Sequence, residues 1–208
     1  MNRLLIPALA PLLLLAACEQ KTPAPAAPAQ PAETRTVATS VPAPAADTAV
    51  TAVTGFQHDP AVDLSGYYYT ETVIQAGNWK LTDLSLRDPA TFATWEAGHM
   101  TDPGGPIYLG FDDVTSPTAE NELGQIYHKV SFRLEPGGYR VDGQRVLFRA
   151  TDKRLGEVVL ELTPDLAAYK TARTAGPNIG SPQRVFTGSL QIGAQRIRNL
   201  SFFYHPGE

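Results

Sequence analysis

Four histidines are the first residues to question for chemistry: His58, His99, His128 and His205. They lie far apart, and none belongs to an HxH, HExxH or CxxC-like spacing that would hold a metal ion. Ordinary surface side chains account for them; a zinc site assembled across strands is the alternative. No GxSxG elbow is present, and Ser189 in TGSLQIG reads as a strand residue. Because a triad needs geometry and not sequence order, a spatially assembled hydrolase site stays open as an alternative. Asp112, Asp113, Glu120 and Glu122 could supply the paired carboxylates of a glycosidase. They fall within one short stretch, and an exposed acidic loop explains them more simply. The ligand order of a calcium loop is missing there. A GxxxxGK[ST] phosphate loop is missing too, and Gly104-Gly105 and Gly137-Gly138 fit tight turns instead. The sequence thus predicts no catalytic residue, no metal site and no cofactor.

The aromatic residues offer more. In a strand over GYYYTETVI, Tyr67 and Tyr69 share one face while Tyr68 takes the other. Amphipathic aromatic rings stack on sugars or anchor protein interfaces. Tyr67, Tyr69 and Trp79 are therefore the candidate binding residues. The alternative is two rings in the core and one over a sheet edge, since aromatics are common strand residues.

Cys18 is the only cysteine in the chain. Arg3 makes a short positive n-region, and Leu4 to Leu15 make an apolar run of signal-peptide length, interrupted by Pro7 and Pro11 and too short to span a bilayer. The run ends in Leu15-Ala16-Ala17-Cys18: a branched apolar residue, two small ones, then the thiol. This motif resembles the lipobox of bacterial lipoproteins. The resemblance covers the leader alone. It implies that residues 1–17 are a signal peptide cut on export, that the Cys18 thiol receives diacylglycerol, and that the new amino terminus is acylated. Several acyl chains, at ~0.8 kcal/mol per buried methylene, hold a protein stably on a membrane where one chain is marginal. The resemblance also implies an address in the bacterial cell envelope. Glu19 stands where an aspartate would favour the inner membrane, so the outer membrane is expected. An ordinary small apolar residue is the alternative for Cys18. With its thiol consumed, the mature chain keeps none for a disulfide or thiolate site, and stability must come from a packed core.

Behind these residues stand the elements that must position them. Residues 18–54 comprise the expected lipidated cysteine and a segment dominated by Pro, Ala and Thr without an aromatic. Such a segment buries too little to offset its ordering entropy and reads as a disordered tether. In a polyproline II form at ~3.1 Å per residue it reaches on the order of 100 Å at most. Residues 55–208 have the length of a single globular domain. The chain's formal charge is −4 and becomes −5 once Arg3 leaves with the leader. Without a basic cluster, nucleic acid is not an expected partner.

Frequent Gly and Pro with period-two alternation mark that domain as β-rich. GYYYTETVI and WKLTDLSL flank a turn at Gln75 to Asn78, and IYLGF alternates Ile107, Leu109 and Phe111. YHKVSFRL places Val130, Phe132 and Leu134 on one face of a single strand. Asp142-Gly143 suits a type I′ hairpin turn. GEVVLELT alternates Val158, Leu160 and Leu162, and a last pair flanks Gly193-Ala194. Two short helices are expected: one capped by Asp88, begun by Pro89 and ended at Gly98, the other running from Thr163-Pro164-Asp165 to about Arg173. The expected fold is mainly β, an antiparallel β-sandwich or open β-barrel of eight or nine strands with two short helices.

Three functions fit these features. The first is a non-enzymatic, lipid-anchored module that binds or helps assemble another envelope protein. The second is a lipoprotein binding cell-wall glycan through Tyr67, Tyr69 and Trp79. The third is an envelope hydrolase with a site assembled in space. Sequence favours the first, because the long tether and compact β domain come without a concentrated catalytic set.

Overall fold

A computed structural model describes residues 53–99, 105–175 and 182–205. The expected signal peptide with Leu15, Ala16 and Ala17, the expected lipid site Cys18 and the expected tether through residue 52 lie outside the described residues, as do Gly104 and most of the loop at 174–183. In chain order the strands are β1 Phe56–His58, β2 Gly66–Tyr69, β3 Gln75–Ala76, β4 Trp79–Leu86, β5 Ile107–Asp113, β6 Thr118–Glu120, β7 Ile126–His128, β8 Ser131–Leu134, β9 Gly138–Val141, β10 Val146–Asp152, β11 Gly156–Pro164, β12 Arg184–Ile192 and β13 Gln195–His205. Helix α1, Pro89–Glu96, follows β4, and α2, Leu166–Ala175, follows β11.

Eleven strands make one curled half-barrel sheet in the order β1-β9-β10-β11-β12-β13-β2-β4-β5-β8, with β3 beside β4, and β6 and β7 form a separate two-stranded sheet. All the pairs are antiparallel except β1 against β9. This is the mainly β sandwich-like or open-barrel architecture that the alternation predicts, with its two short helices. The added strands are short edge pieces whose pairing comes from backbone bonds and leaves little hydrophobic period.

Period-two alternation puts one apolar row per strand on the inner face. Tyr68, Leu84, Leu109 and Leu134 stand opposite one another across β2, β4, β5 and β8, and all are buried. Phe148, Leu160 and Leu190 do the same across β10, β11 and β12. Each such side chain contributes about 1.5–3 kcal/mol on burial. Helix α1 begins where Asp88 accepts from the N–H groups of Ala90 and Thr91, and it lays Phe92 edge-on against Tyr139 at 5.2 Å. Gly98 then leaves the helix at φ +79°. Helix α2 is capped by Asp165 and buries Tyr169, whose hydroxyl donates to the Ser65 carbonyl. An Arg173–Asp63 pair at 2.6 Å fastens the same loop to the helix.

Several local expectations give way. Gln75–Ala76 is a strand, and the chain turns on Gly77-Asn78, where Gly77 alone takes positive φ. That is the type II′ arrangement. The Asp142-Gly143 turn has no positive φ. The Asp142 carboxylate closes it instead, accepting from the N–H groups of Gln144 and Arg145, each at 2.8 Å. The stretch Tyr127 to Leu134 is broken, because Lys129 bonds back to Pro117 and Val130 to Asp113. Val130 is left outside the ladder and 45 % exposed. The acidic loop after Asp112 contains β6, which pairs with β7.

Candidate functional site

The apolar residues of WKLTDLSL change phase partway: Trp79 and Leu81 are odd-numbered, Leu84 and Leu86 even. A strict strand would send the two sets to opposite faces. β4 keeps them together by a register slip against β5 between Leu81 and Asp83, with Thr82 as the extra residue of a β-bulge. Leu81, Leu84 and Leu86 stay buried while Thr82 and Asp83 both turn outward.

The outer face then carries its own rows. Tyr67, Ser85 and Tyr108 stand opposite one another across β2, β4 and β5. Asp83, Gly110 and Arg133 form the next row, and Lys80, Asp112 and Ser131 another. A side chain at 110 would collide with Asp83 Oδ1 and Thr82 Oγ1, so glycine there lets the Asp83 carboxylate lie against β5. Tyr67, Asp83, Tyr108, Asp112, Ser131 and Arg133 line a groove of 540 Å3. Burial pushes the Asp83 carboxyl above its ordinary value, against a hydrogen bond donated by the Thr82 hydroxyl at 2.8 Å and the nearby Arg133 charge. Asp112 is also raised, chiefly by burial, with His128 and Lys80 opposing. The Arg133 guanidinium lies over the Tyr108 ring, 4.9 Å from its centre.

The predicted aromatic residues separate into two places. Tyr68 is buried and donates to the Leu64 carbonyl at 2.6 Å, while Tyr67 faces outward into the groove, 42 % exposed. Tyr69 shares the outer face but leans on Phe203, with ring centres 5.7 Å apart. Trp79 does not join them. By strict alternation from Ser85, opposite Tyr67, it would share the tyrosines' face; the bulge turns it inward. There it meets Phe132 edge-on at 4.8 Å, and Phe132 stacks on Phe111 at 5.4 Å. Arg154, from the turn after β10, lies 5.2 Å above Trp79 and 3.3 Å above Phe132. Asp152 grips that guanidinium with two bonds of 2.8 Å, and the hydrogen bond lowers the Asp152 carboxyl to about 2.

Elsewhere the chemistry-bearing residues serve structure. His58 stacks on Phe92 at 4.5 Å and borders a second groove, of 550 Å3, with Asp59, Arg140 and Asp142 along β1 and β9. Asp113 accepts from the N–H and hydroxyl of Thr115, at 2.9 and 2.6 Å, and closes a turn. Ser189 lies within β12 opposite Glu161. Neither groove brings His, Ser and Asp together. Among the described residues, no three His, Asp or Glu are grouped so as to hold a metal ion.

Comparison of the chain with protein-family models, with curated proteins and with solved structures gives no match. The groove's meaning therefore rests on its own residues. Asp83, Tyr108 and Arg133 carry no motif, but the phase change in WKLTDLSL and the outward positions of IYLGF mark two of them in the sequence.

Proposed function

We propose that this chain is a lipid-anchored lipoprotein of the bacterial outer membrane whose β-rich part binds or helps assemble another envelope protein, without catalysis. The observation that carries the reading is the small sheet of β6 and β7. Its tip and flank present Leu123 at 71 % exposure, Ile126 at 66 %, and the half-exposed Tyr127 and Val130. Several exposed apolar side chains on one small sheet are unfavourable in water and gain from burial against a protein partner. Its turn is also well built: Asn121 Oδ1 accepts from the N–H groups of Leu123 and Gln125 at 3.0 and 2.9 Å. The arm leads into β8, the last strand of the large sheet, whose outer edge can take a partner's strand. The anchor, the Cys18 lipid, would keep this arm at the membrane, with the Pro/Ala-rich tether setting its reach.

Photo-crosslinking in cells tests the docking, with the reactive group at Ile126 and, as control, at the equally exposed Val73. A discrete protein adduct from Ile126 and not Val73 is expected; adducts from neither would defeat the reading. The anchor is tested separately. Cys18→Ser should leave the membrane fraction or remain uncut, and a processed, membrane-bound variant would remove the lipid from the account.

A further inference from the structure

We propose that the outer-face groove of β2, β4, β5 and β8 is a saccharide site, in which an uncharged pyranose ring stacks on Tyr67 while its hydroxyls bond to Asp83, Ser131 and Arg133. The site is distinct from the β6–β7 arm and does not depend on the docking assigned to it.

Four features of the groove converge on this ligand. Tyr67 supplies a ring that is exposed on the groove side, and such a ring offers an apolar face beside polar neighbours. Its charges balance, with Asp83 and Asp112 set against Arg133 and the neighbouring Lys80. A site built for an ion would carry an excess of one sign; a balanced set of acceptors and donors suits vicinal hydroxyls, which both donate and accept. Asp83 is seated there by two separate devices, the extra residue at Thr82 and the missing side chain at Gly110. Packing does not require that seat, since Leu81, Leu84 and Leu86 would be satisfied by any outward polar pair. Burial raises the carboxyl, which is the cost of holding an acceptor in a partly dry place. The groove's 540 Å3 also falls within the roughly 300–1,000 Å3 of small-molecule sites.

The experiment is ligand-observed saturation-transfer NMR on the full-length, detergent-solubilised protein. The probes are chitotriose, cellotriose and maltotriose, with tetramethylammonium as a cationic competitor. Transfer to at least one trisaccharide is expected, at least about tenfold weaker in Tyr67→Ala and in Asp83→Asn. Thermal melts of both variants no lower than wild type show that the loss is local, and Tyr67→Phe should restore binding. Retention on insoluble peptidoglycan that Tyr67→Ala abolishes places the ring within a wall polymer; soluble binding without retention assigns a free oligosaccharide. No transfer to any trisaccharide, binding unchanged in both variants, or binding of the cation alone would overturn the proposal.

Discussion

On its inner face β4 sets Leu81, Leu84 and Leu86 against a closed apolar core, whereas on its outer face the same strand presents Thr82 and Asp83 to a groove. The inner row is valued for volume and shape and has no polar atom to satisfy. The outer row is valued for where it points, and its carboxylate is raised by burial, with the Thr82 hydrogen bond and the Arg133 charge opposing. One strand thus gives one face to the core and the other to the groove. The bulge at Thr82 is the hinge of that division, because it alone decides which residues belong to which side.

The inner face should break hardest. Leu84→Ala removes a fully buried side chain from the middle of a four-strand row and should cost about 2–5 kcal/mol in chemical denaturation. A loss under about 1 kcal/mol would show that this core is not close-packed. The boundary between faces comes next. Gly110→Ala drives a methyl group into the Asp83 carboxylate and the Thr82 hydroxyl, an overpacking penalty of about 1–3 kcal/mol. The obstacles are side chains, so in a Thr82→Ala/Asp83→Ala background the same change should be nearly free, a coupling that a double-mutant cycle measures. Equal penalties in both backgrounds would place the strain in the backbone.

The smallest effects are the sharpest, because two aspartates should respond to pH with opposite sign. The Arg154 hydrogen bond holds the Asp152 carboxyl at about 2 in the folded chain, below its ordinary 3.8. Its contribution is full above 3.8 and fades as pH falls through about 2. Asp152→Asn should therefore cost up to about 1 kcal/mol at neutral pH, as expected for a partly exposed ion pair, and much less as pH falls to 2. Asp83 is raised above 3.8, so its ionisation opposes folding increasingly as pH rises from 3.8 to its folded value, and fully above that. Asp83→Asn should stabilise the protein at neutral pH and leave it unchanged below pH 3.8. Denaturation midpoints for both variants across pH 2 to 7 would show crossing or parallel trends, and parallel trends would erase the contrast.

The legible parts of this fold were those governed by a single period. Val158, Leu160 and Leu162 alternate without interruption along β11, and Gly193-Ala194 joins β12 to β13 as a two-residue turn. Asp88 and Pro89 start α1 by local backbone bonding alone. The opposite orientation of Tyr68 from Tyr67 and Tyr69 follows from the same parity. What sequence left hidden depends on partners distant in the chain. β1 has three residues and no apolar alternation, and it is held in parallel by β9, some eighty positions away. Trp79 looked like a companion of the tyrosines because the bulge that reverses its direction announces itself only as a phase change. Arg133 acquires its place over Tyr108 from strand order, which no local pattern encodes.

The place of β13 in the sheet bears on how the protein comes into being. Among the described strands it alone joins the β1 and β9–β12 group to β2, β4, β5 and β8, pairing with β12 on one side and β2 on the other. The ladder from His205 to Tyr67 closes a very long loop, and pairings of such separation form late and slowly. A chain delivered from its amino terminus holds two unjoined half-sheets until Gln195–His205 arrives. For the exported lipoprotein proposed above, folding would then be withheld until Gln195–His205 has crossed the membrane.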